Sequence, residues 1–493
     1  MKNLTNYTIA FAASVALLGS CKPELAVPTA TKGDLNLTCY VAMGNSLTSG
    51  YQNNGLFYEG QKSSYVNQLA NQFKLVQPDL VFNTPFVDQN SAGCGAPTMT
   101  IQPPLDITNI GSLLTSTFSL TIICTAPYTL QTVSSPCGPA SLAPAPGAVH
   151  GDPSIIFDPT TPGYDANLGG VKVPPFAGTS LLTGFPTIKT APSIYYTSAT
   201  NPGPYHNMGV PGARCIDVNR AGFGSDNLIT LSGTTMTQAN PFFSRFAKNK
   251  ATSSMLSDAM IMKPSFFSLF IGNNDVLLWA SQGGVSGVGT STITPVQDFS
   301  DSIDSMVKTL MTTATQGIIV NVPQITGAAF FTYMPAKTSY WIVDENGSTR
   351  QMVGGEMVLL TVPQDSVNCF GMGATAGYPI PKKYTLTNAQ VAMATNAIDA
   401  YNVHLKAVAD ANGLAFFDMN GFTKANQNGT QYNGMAITGT FVTGGLFSLD
   451  GLHLTPRGYA AVANEMVKVI NQRYHSTLPG IDLSTYNGVN FGN

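Results

Sequence analysis

The sequence predicts a three-layer α/β/α sandwich built on a parallel central sheet and interrupted by a large β-rich insertion. Three observations carry that reading. Short apolar runs with few interruptions occur at Leu37–Met43 (LTCYVAM), Phe266–Ile271 (FFSLFI), Gly317–Val322 (GIIVNV) and Leu414–Phe417 (LAFF). Strands covered on both faces read this way, whereas strands with one wet face alternate. Helical patterns of 3–4 residue spacing separate several of these runs, the alternation expected of an α/β fold. The stretch from about Thr84 to Tyr205 breaks the rhythm: it is rich in Pro, Gly, Ser and Thr, with β-like segments such as Thr117–Cys124. A loop of that length without structure of its own would be unusual. Strand order is not readable from these signals.

Taken in order, the chain opens with a segment that is not part of the fold. Lys2 gives a positive start, Tyr7–Leu18 is apolar or small, and Gly19-Ser20-Cys21 follows. The apolar run is too short to span a bilayer and has the layout of a secretory signal over residues 1–20. Its end resembles a bacterial lipobox, which would make Cys21 the lipidated first residue of the mature chain; the alternative is an ordinary cleaved signal with a chance cysteine. Residues 21–36 then read as a tether, and 37–493 as one domain. Within it, Ser64–Phe73 and about Val296–Thr313 carry helical patterns. The clearest helix starts at Thr387, where Thr387 and Gln390 form a capping box. Val391, Ala394, Ile398, Tyr401, Leu405 and Val408 repeat behind it, and Asn412-Gly413 stops it. The last helix opens with Thr455 as cap and Pro456 at its first position. A second, smaller insertion covers about Ile325 to Pro381.

Composition narrows the class. Charged residues make up 10% of the chain, against roughly 25% in an average soluble domain, yet 43% of residues are hydrophobic. That describes an exported, loop-rich, folded protein. Net charge is −3 with no Lys/Arg cluster, which argues against a nucleic-acid partner. Apart from Cys21 there are six cysteines. Cys94, Cys124 and Cys137 fall in the loop-rich region where a disulfide is possible; Cys39 and Cys215 read as small buried residues beside strand ends; Cys369 stands apart. There is no C-x-x-C pair, and no metal site is assigned.

Four short blocks place reactive groups at strand ends or turns: Gly44-Asn45-Ser46-Leu47-Thr48, Gly209-Val210-Pro211-Gly212, Gly272-Asn273-Asn274-Asp275 and Asp450-Gly451-Leu452-His453. Ser46 after a strand fits an exposed nucleophile at the C-terminal edge of a sheet, and equally an ordinary turn. Gly212 fits either a backbone N–H donor where a side chain would obstruct, or a plain turn. Asn274 fits an amide donor or a strand-end turn. Asp450 and His453 are the most informative, because three residues apart in one turn a carboxylate can hold one imidazole nitrogen while the other faces a nucleophile. The remaining histidines, His150, His206, His404 and His475, lack such a neighbour in sequence.

Taken together and in this order, the blocks resemble those of the SGNH/GDSL hydrolase family of esterases and lipases, whose fold is flavodoxin-like. The resemblance implies that Ser46 is the nucleophile and that its N–H, the Gly212 N–H and the Asn274 side chain form the oxyanion hole. It implies His453 as general base and then acid, with Asp450 orienting it, and no metal or organic cofactor. One position departs: Asn45 stands where the family motif has Asp. The expected activity is hydrolysis of carboxylic esters by a lipid-anchored enzyme of the bacterial cell envelope, at the outer membrane. Small-molecule, lipid and acylated-carbohydrate esters remain open as substrates, and the membrane is a partner through the anchor at Cys21. Alternatives are a non-catalytic surface-binding lipoprotein that retains the fold, and acyl transfer to an alcohol other than water. The insertion at about 84–205 is expected to return both ends near the active-site edge and to wall the cleft. A generic α/β-hydrolase is disfavoured because Ser46 is not in a G-x-S-x-G elbow.

Replacing Cys21 with Ser is expected to release the protein from the membrane fraction or to block its maturation. Detergent phase partitioning checks this, and aqueous partitioning of the mature wild type would count against lipidation.

Overall fold

A computed structural model describes residues 29–87, 202–285 and 292–489, apart from positions 54, 226–227, 232–233, 238–239, 364–365, 368–370 and 433. Between 88 and 201 it describes two antiparallel strand pairs, Ala96–Ile101 with Phe118–Ile123 and Leu130–Thr132 with Ile155–Phe157. Residues 1–28, with the expected signal segment and Cys21, and also His150 and the cysteines 94, 124, 137 and 369 lie outside the described residues.

Five parallel strands form the central sheet: β1 (Tyr40–Gly44), β2 (Asn207–Gly209), β3 (Phe266–Phe270), β4 (Gln316–Val320) and β5 (Ala415–Phe417), in the order β5-β4-β3-β1-β2. Alternate residues of each strand enter opposite cores, as the two-residue period of a strand requires. Tyr40, Ala42, Phe266, Phe270, Ile318 and Val320 pack on one face with helices α2 (Tyr65–Lys74) and α7 (Pro456–Tyr474). Val41, Met43, Phe267, Leu269 and Ile319 pack on the other with α4 (Val296–Leu310) and α5 (Asn388–Ala411). Three shorter helices, α1 (Ser46–Ser49), α3 (Asn274–Ala280) and α6 (Met419–Gln427), follow β1, β3 and β5. The three-layer sandwich is therefore as expected. Among the described residues no helix is long and apolar enough to cross a membrane.

The helix signals operate as hydrogen bonds. Ser64 caps α2 by accepting from the Asn67 N–H; Thr387 and Gln390 form a reciprocal capping box on α5; Thr455 caps α7 through the Gly458 N–H, with Pro456 at the position where a missing N–H costs nothing. Asn412 ends α5, and Gly413 takes the left-handed conformation (φ +63°) that its stop requires.

Strand β2 was not foreseen: three residues, Asn207-Met208-Gly209, too short and too polar to read as a buried strand. It is the sheet's edge, paired through Ala42 with Asn207 and Gly44 with Gly209. The ends of the large insertion do meet, but at the start of β2 rather than at its C-terminal end. His206 N–H donates to the Asn83 carbonyl at 2.8 Å, and the Asn83 N–H donates back to His206 Nδ1 at 3.0 Å. The second insertion has a small core of its own, including Met334, Ile342, Val358 and Ile380, and a hairpin pairing Trp341–Val343 with Thr349–Gln351.

Burial pushes the His206 imidazole down to about 4. Its folded-state value thus lies below the unfolded one, so between pH ~6.5 and ~4 the unfolded chain takes up a proton that the folded chain refuses. The stability this group contributes is complete above that window and lost as pH falls through it. His206→Asn, which keeps an acceptor for Asn83, is expected to show a smaller drop in thermal midpoint on acidification from about pH 7 to about pH 5 than the wild type.

Candidate active site

Parallel pairing places three strand ends side by side, with Gly44 opposite both Gly209 and Phe270. The segments that follow, Asn45-Ser46, Val210–Gly212 and Ile271–Asn274, therefore emerge together at the C-terminal edge of the sheet. Two glycines permit the crowding. A Cβ on Gly44 would stand 2.0 Å from Thr48 Oγ1 and 2.5 Å from the Phe270 carbonyl, and one on Gly209 would stand 2.3 Å from the Ser49 nitrogen.

Ser46 opens the one-turn helix α1. Asn45 caps that turn by accepting from the Leu47 N–H (3.0 Å), while its side-chain amide donates to Asn273 Oδ1 (2.9 Å). An aspartate could make the first contact but could not donate to Asn273. The asparagine at the position where the sequence departs from its family motif thus links the Ser46 turn to the end of β3 without charge.

His453 comes from the loop before α7. Its Nε2 lies 2.8 Å from Ser46 Oγ and its Nδ1 lies 2.8 Å from Asp450 Oδ2. The other carboxylate oxygen, Asp450 Oδ1, accepts from the His453 and Leu452 N–H groups (2.8 and 2.9 Å) and from Ser448 Oγ (3.1 Å). Burial alone would push the Asp450 carboxyl up; the adjacent His453 and these hydrogen bonds outweigh it and hold the group down to about 2. Asp450 is therefore an anion across the physiological range, able to fix the imidazole with Nδ1–H toward the carboxylate and Nε2 toward Ser46. The loop is tied back to the serine segment: Asn53 N–H donates to Ser448 Oγ and Asn53 Oδ1 accepts from the Leu449 N–H, both at 3.0 Å. The Tyr51 ring packs beside the imidazole at 4.7 Å between centroids.

On the other side, the Asn274 amide donates to the Ala213 carbonyl at 2.9 Å, which joins the residue after Gly212 to the helix after β3. The Asn240 amide holds the Pro211 carbonyl at 2.8 Å. Gly212 has φ +76°, a conformation open to glycine at little cost. The structure thus brings Ser46, Asp450, His453 and Asn274 to one place and ties the Gly212 loop to them.

Ser46, Asn273, Asn274 and His453 line the head of a cleft of about 660 Å³, its open mouth included. Beyond them its walls are mainly apolar: Leu277, Val322, Ile325, Phe331, Ile398 and Met419 are among them. Ile325, Gly327, Ala328 and Phe331 belong to the second insertion. That insertion also touches the His453 loop, since the Phe330 N–H donates to the Gly451 carbonyl at 2.9 Å. The described lining includes no residue of the 84–205 insertion, the segment expected to wall the cleft.

The other described histidines stand elsewhere. His404 and His475 do have carboxylate partners, remote in sequence: Asp304 at 2.9 Å and Asp34 at 2.6 Å. Neither lines the cleft. Cys39 is half-buried and Cys215 buried, both as free thiols. Among the described residues, no group of three or more His, Cys, Asp or Glu side chains is placed to hold a metal ion. Sequence reasoning missed Asn53, Asn240, Asn273 and Ser448, all turn residues whose partners are distant; only the proximity of Ser448 to Asp450 offered a signal.

The model of the family described as GDSL-like Lipase/Acylhydrolase matches residues 180–466, more than half of the chain. The match contains Gly212, Asn274, Asp450 and His453. Ser46 precedes it, on the far side of the large insertion, and the fold brings it to the other residues. No curated protein matches the sequence.

Proposed function

The chain belongs to the GDSL-like lipase/acylhydrolase family, and from that premise we propose that it is a serine esterase cleaving carboxylic esters that carry an apolar group. The observation that carries this reading is the continuous line Ser46 Oγ–His453 Nε2, His453 Nδ1–Asp450 Oδ2, with both contacts at 2.8 Å. A nucleophile, a base within hydrogen-bond reach and a group orienting the base are the parts that acyl transfer through a covalent intermediate needs.

In the proposed sequence, His453 Nε2 takes the Ser46 proton as Oγ attacks the ester carbonyl. The negative charge that develops on the carbonyl oxygen is held by the Ser46 and Gly212 N–H groups and the second N–H of the Asn274 amide, whose first is committed to Ala213. Collapse breaks the C–O bond, and the imidazolium returns its proton to the departing alcohol. Water then attacks the acyl-enzyme with His453 again as base, releasing the carboxylic acid and restoring Ser46. Asp450 stays ionised throughout and stabilises the transient imidazolium. The apolar cleft favours an alkyl or aryl substituent over a charged one, since each methylene buried there contributes about 0.8 kcal/mol. Attachment to the bacterial envelope through Cys21 remains part of this proposal and is supported by the sequence of the leader.

Ser46→Ala is expected to abolish hydrolysis of a chromogenic ester with little change in the thermal transition. His453→Ala is expected to lower kcat by about 10⁴ or more and Asp450→Asn by less, because the base moves the proton and the carboxylate acts through it. Wild-type turnover in Ser46→Ala, or equal and mild effects of the other two, would overturn the assignment. Mass spectrometry after a phosphonate label should find the adduct on Ser46.

Phe331 is buried and stands in the cleft wall. Phe331→Ala is expected to raise kcat/KM for longer chains relative to short ones, in a panel that varies the acyl and alcohol sides separately. An unchanged ranking on both sides would remove the cleft from substrate recognition.

A further inference from the structure

Asp275 directly follows Asn274, yet the proposed mechanism gives it no task. It is fully buried, a costly place for a carboxylate, and burial holds its pKa up at about 6. Three donors offset part of that cost. Oδ2 accepts from the Cys215 N–H at 2.8 Å, and Oδ1 accepts from Cys215 Sγ at 2.9 Å and Thr294 Oγ1 at 2.7 Å. Arg214 lends further positive potential.

What those donors belong to gives the arrangement its meaning. Cys215 lies three residues beyond Gly212, and Asn274 holds the carbonyl of Ala213 between them. Adjacent residues at the start of α3 therefore grip one loop at two points, the Ala213 carbonyl and the Cys215 N–H. A third point anchors the pair from behind: the Thr294 N–H donates to the Asp275 carbonyl at 2.9 Å, Tyr401 OH donates to the Thr294 carbonyl, and Tyr401 stacks on Phe299 at 3.9 Å. A buried carboxylate used only to fill space would be a poor choice against an apolar residue. Its acceptors suit a task that an apolar residue cannot perform, which is to fix a backbone N–H in the loop opposite.

We propose that Asp275 is a positioning residue for the oxyanion hole, setting the Gly212 N–H and the Asn274 amide at a fixed separation by clamping Cys215. This rests on the serine-esterase reading and deepens it. Electrostatic stabilisation of an oxyanion depends on donors held where charge will develop, before it develops. Loosening the clamp leaves ester binding in the apolar cleft untouched and weakens stabilisation of the transition state alone.

The test compares the full-length wild type with Asp275→Ala and Asp275→Asn in steady-state hydrolysis of one chromogenic ester. Active sites are counted by phosphonate labelling, so that unfolded protein does not enter kcat. Asp275→Ala is expected to lower kcat per labelled site by about 100-fold with KM unchanged. Asp275→Asn retains an acceptor for the Cys215 N–H and is expected to recover part of that loss. Should Asp275→Ala fail to fold, the double variant Cys215→Ala/Thr294→Val strips both donors from Oδ1 and leaves the carboxylate held by the Cys215 N–H alone, and a smaller fall in kcat at constant KM is expected of it. A role in stability alone would lower the thermal midpoint and leave kcat per labelled site at the wild-type value, and that result overturns the inference. A wild type that turns over no ester overturns the esterase reading and this inference with it; an active wild type beside an equally fast variant overturns this inference only.

Discussion

Strand β1 has hydrogen-bonded neighbours on both sides, and its register against them governs everything at the cleft. Gly44 lies level with Gly209 on one side and Phe270 on the other, so three consecutive strand ends release their loops at the same height. A shift of one residue would turn every side chain of β1 to the opposite core. Burial on both faces excludes that shift: Tyr40 and Ala42 are committed to the α2/α7 side, and Val41 and Met43 to the α4/α5 side. The hydrophobic layers thus act at a distance on the chemistry, by fixing where Ser46, Gly212 and Asn274 can be.

On that frame the site is assembled from short polar links between segments far apart in the chain. Asn45 meets Asn273, Asn53 meets Leu449 and Ser448, Asn240 meets Pro211, and Asn274 meets Ala213. Five of these residues are asparagines, whose side chain both donates and accepts in one plane. An uncharged connector of this kind can be buried at the cost of its hydrogen bonds alone, whereas a charged one needs a counter-ion as well. Carboxylates are placed instead at Asp450 and Asp275, each surrounded by three or more donors.

The parts of the fold that could be read in the sequence are those in which one physical demand dominates. Strands β1, β3 and β4 are buried on both faces and read as apolar runs; α5 and α7 carry their caps in the primary structure. Strand β2 was illegible because an edge strand of three residues need not be apolar. Its Asn207 side chain is spent on the Thr48 carbonyl and the Gly209 N–H, contacts that look like a loop's. At the site, Asp450 and His453 were legible because one turn contains both. The contact between His453 and Ser46 spans 407 positions, and nothing in local spacing signals it; family resemblance did. The cleft walls were hidden for a further reason: Phe331, Ile398 and Met419 have the same composition as core residues, and only their place beyond β4 and β5 distinguishes them.

The entry of the N-terminal segment into the fold gives the molecule a polarity. Gln316, the first residue of β4, holds Asn36 N–H and the Asp34 carbonyl; Ser265, just before β3, donates to the Asn36 carbonyl; Asp34 N–H meets the Tyr474 carbonyl at the far end of α7. All four contacts lie at the edge of the sheet where the strands begin, opposite the edge that bears Ser46. A leash attached through this segment would hold the molecule by its base, with the cleft directed away from the point of attachment. Esters arriving from the surroundings would then meet the cleft directly, while those in the anchoring surface itself would lie behind the body of the sheet.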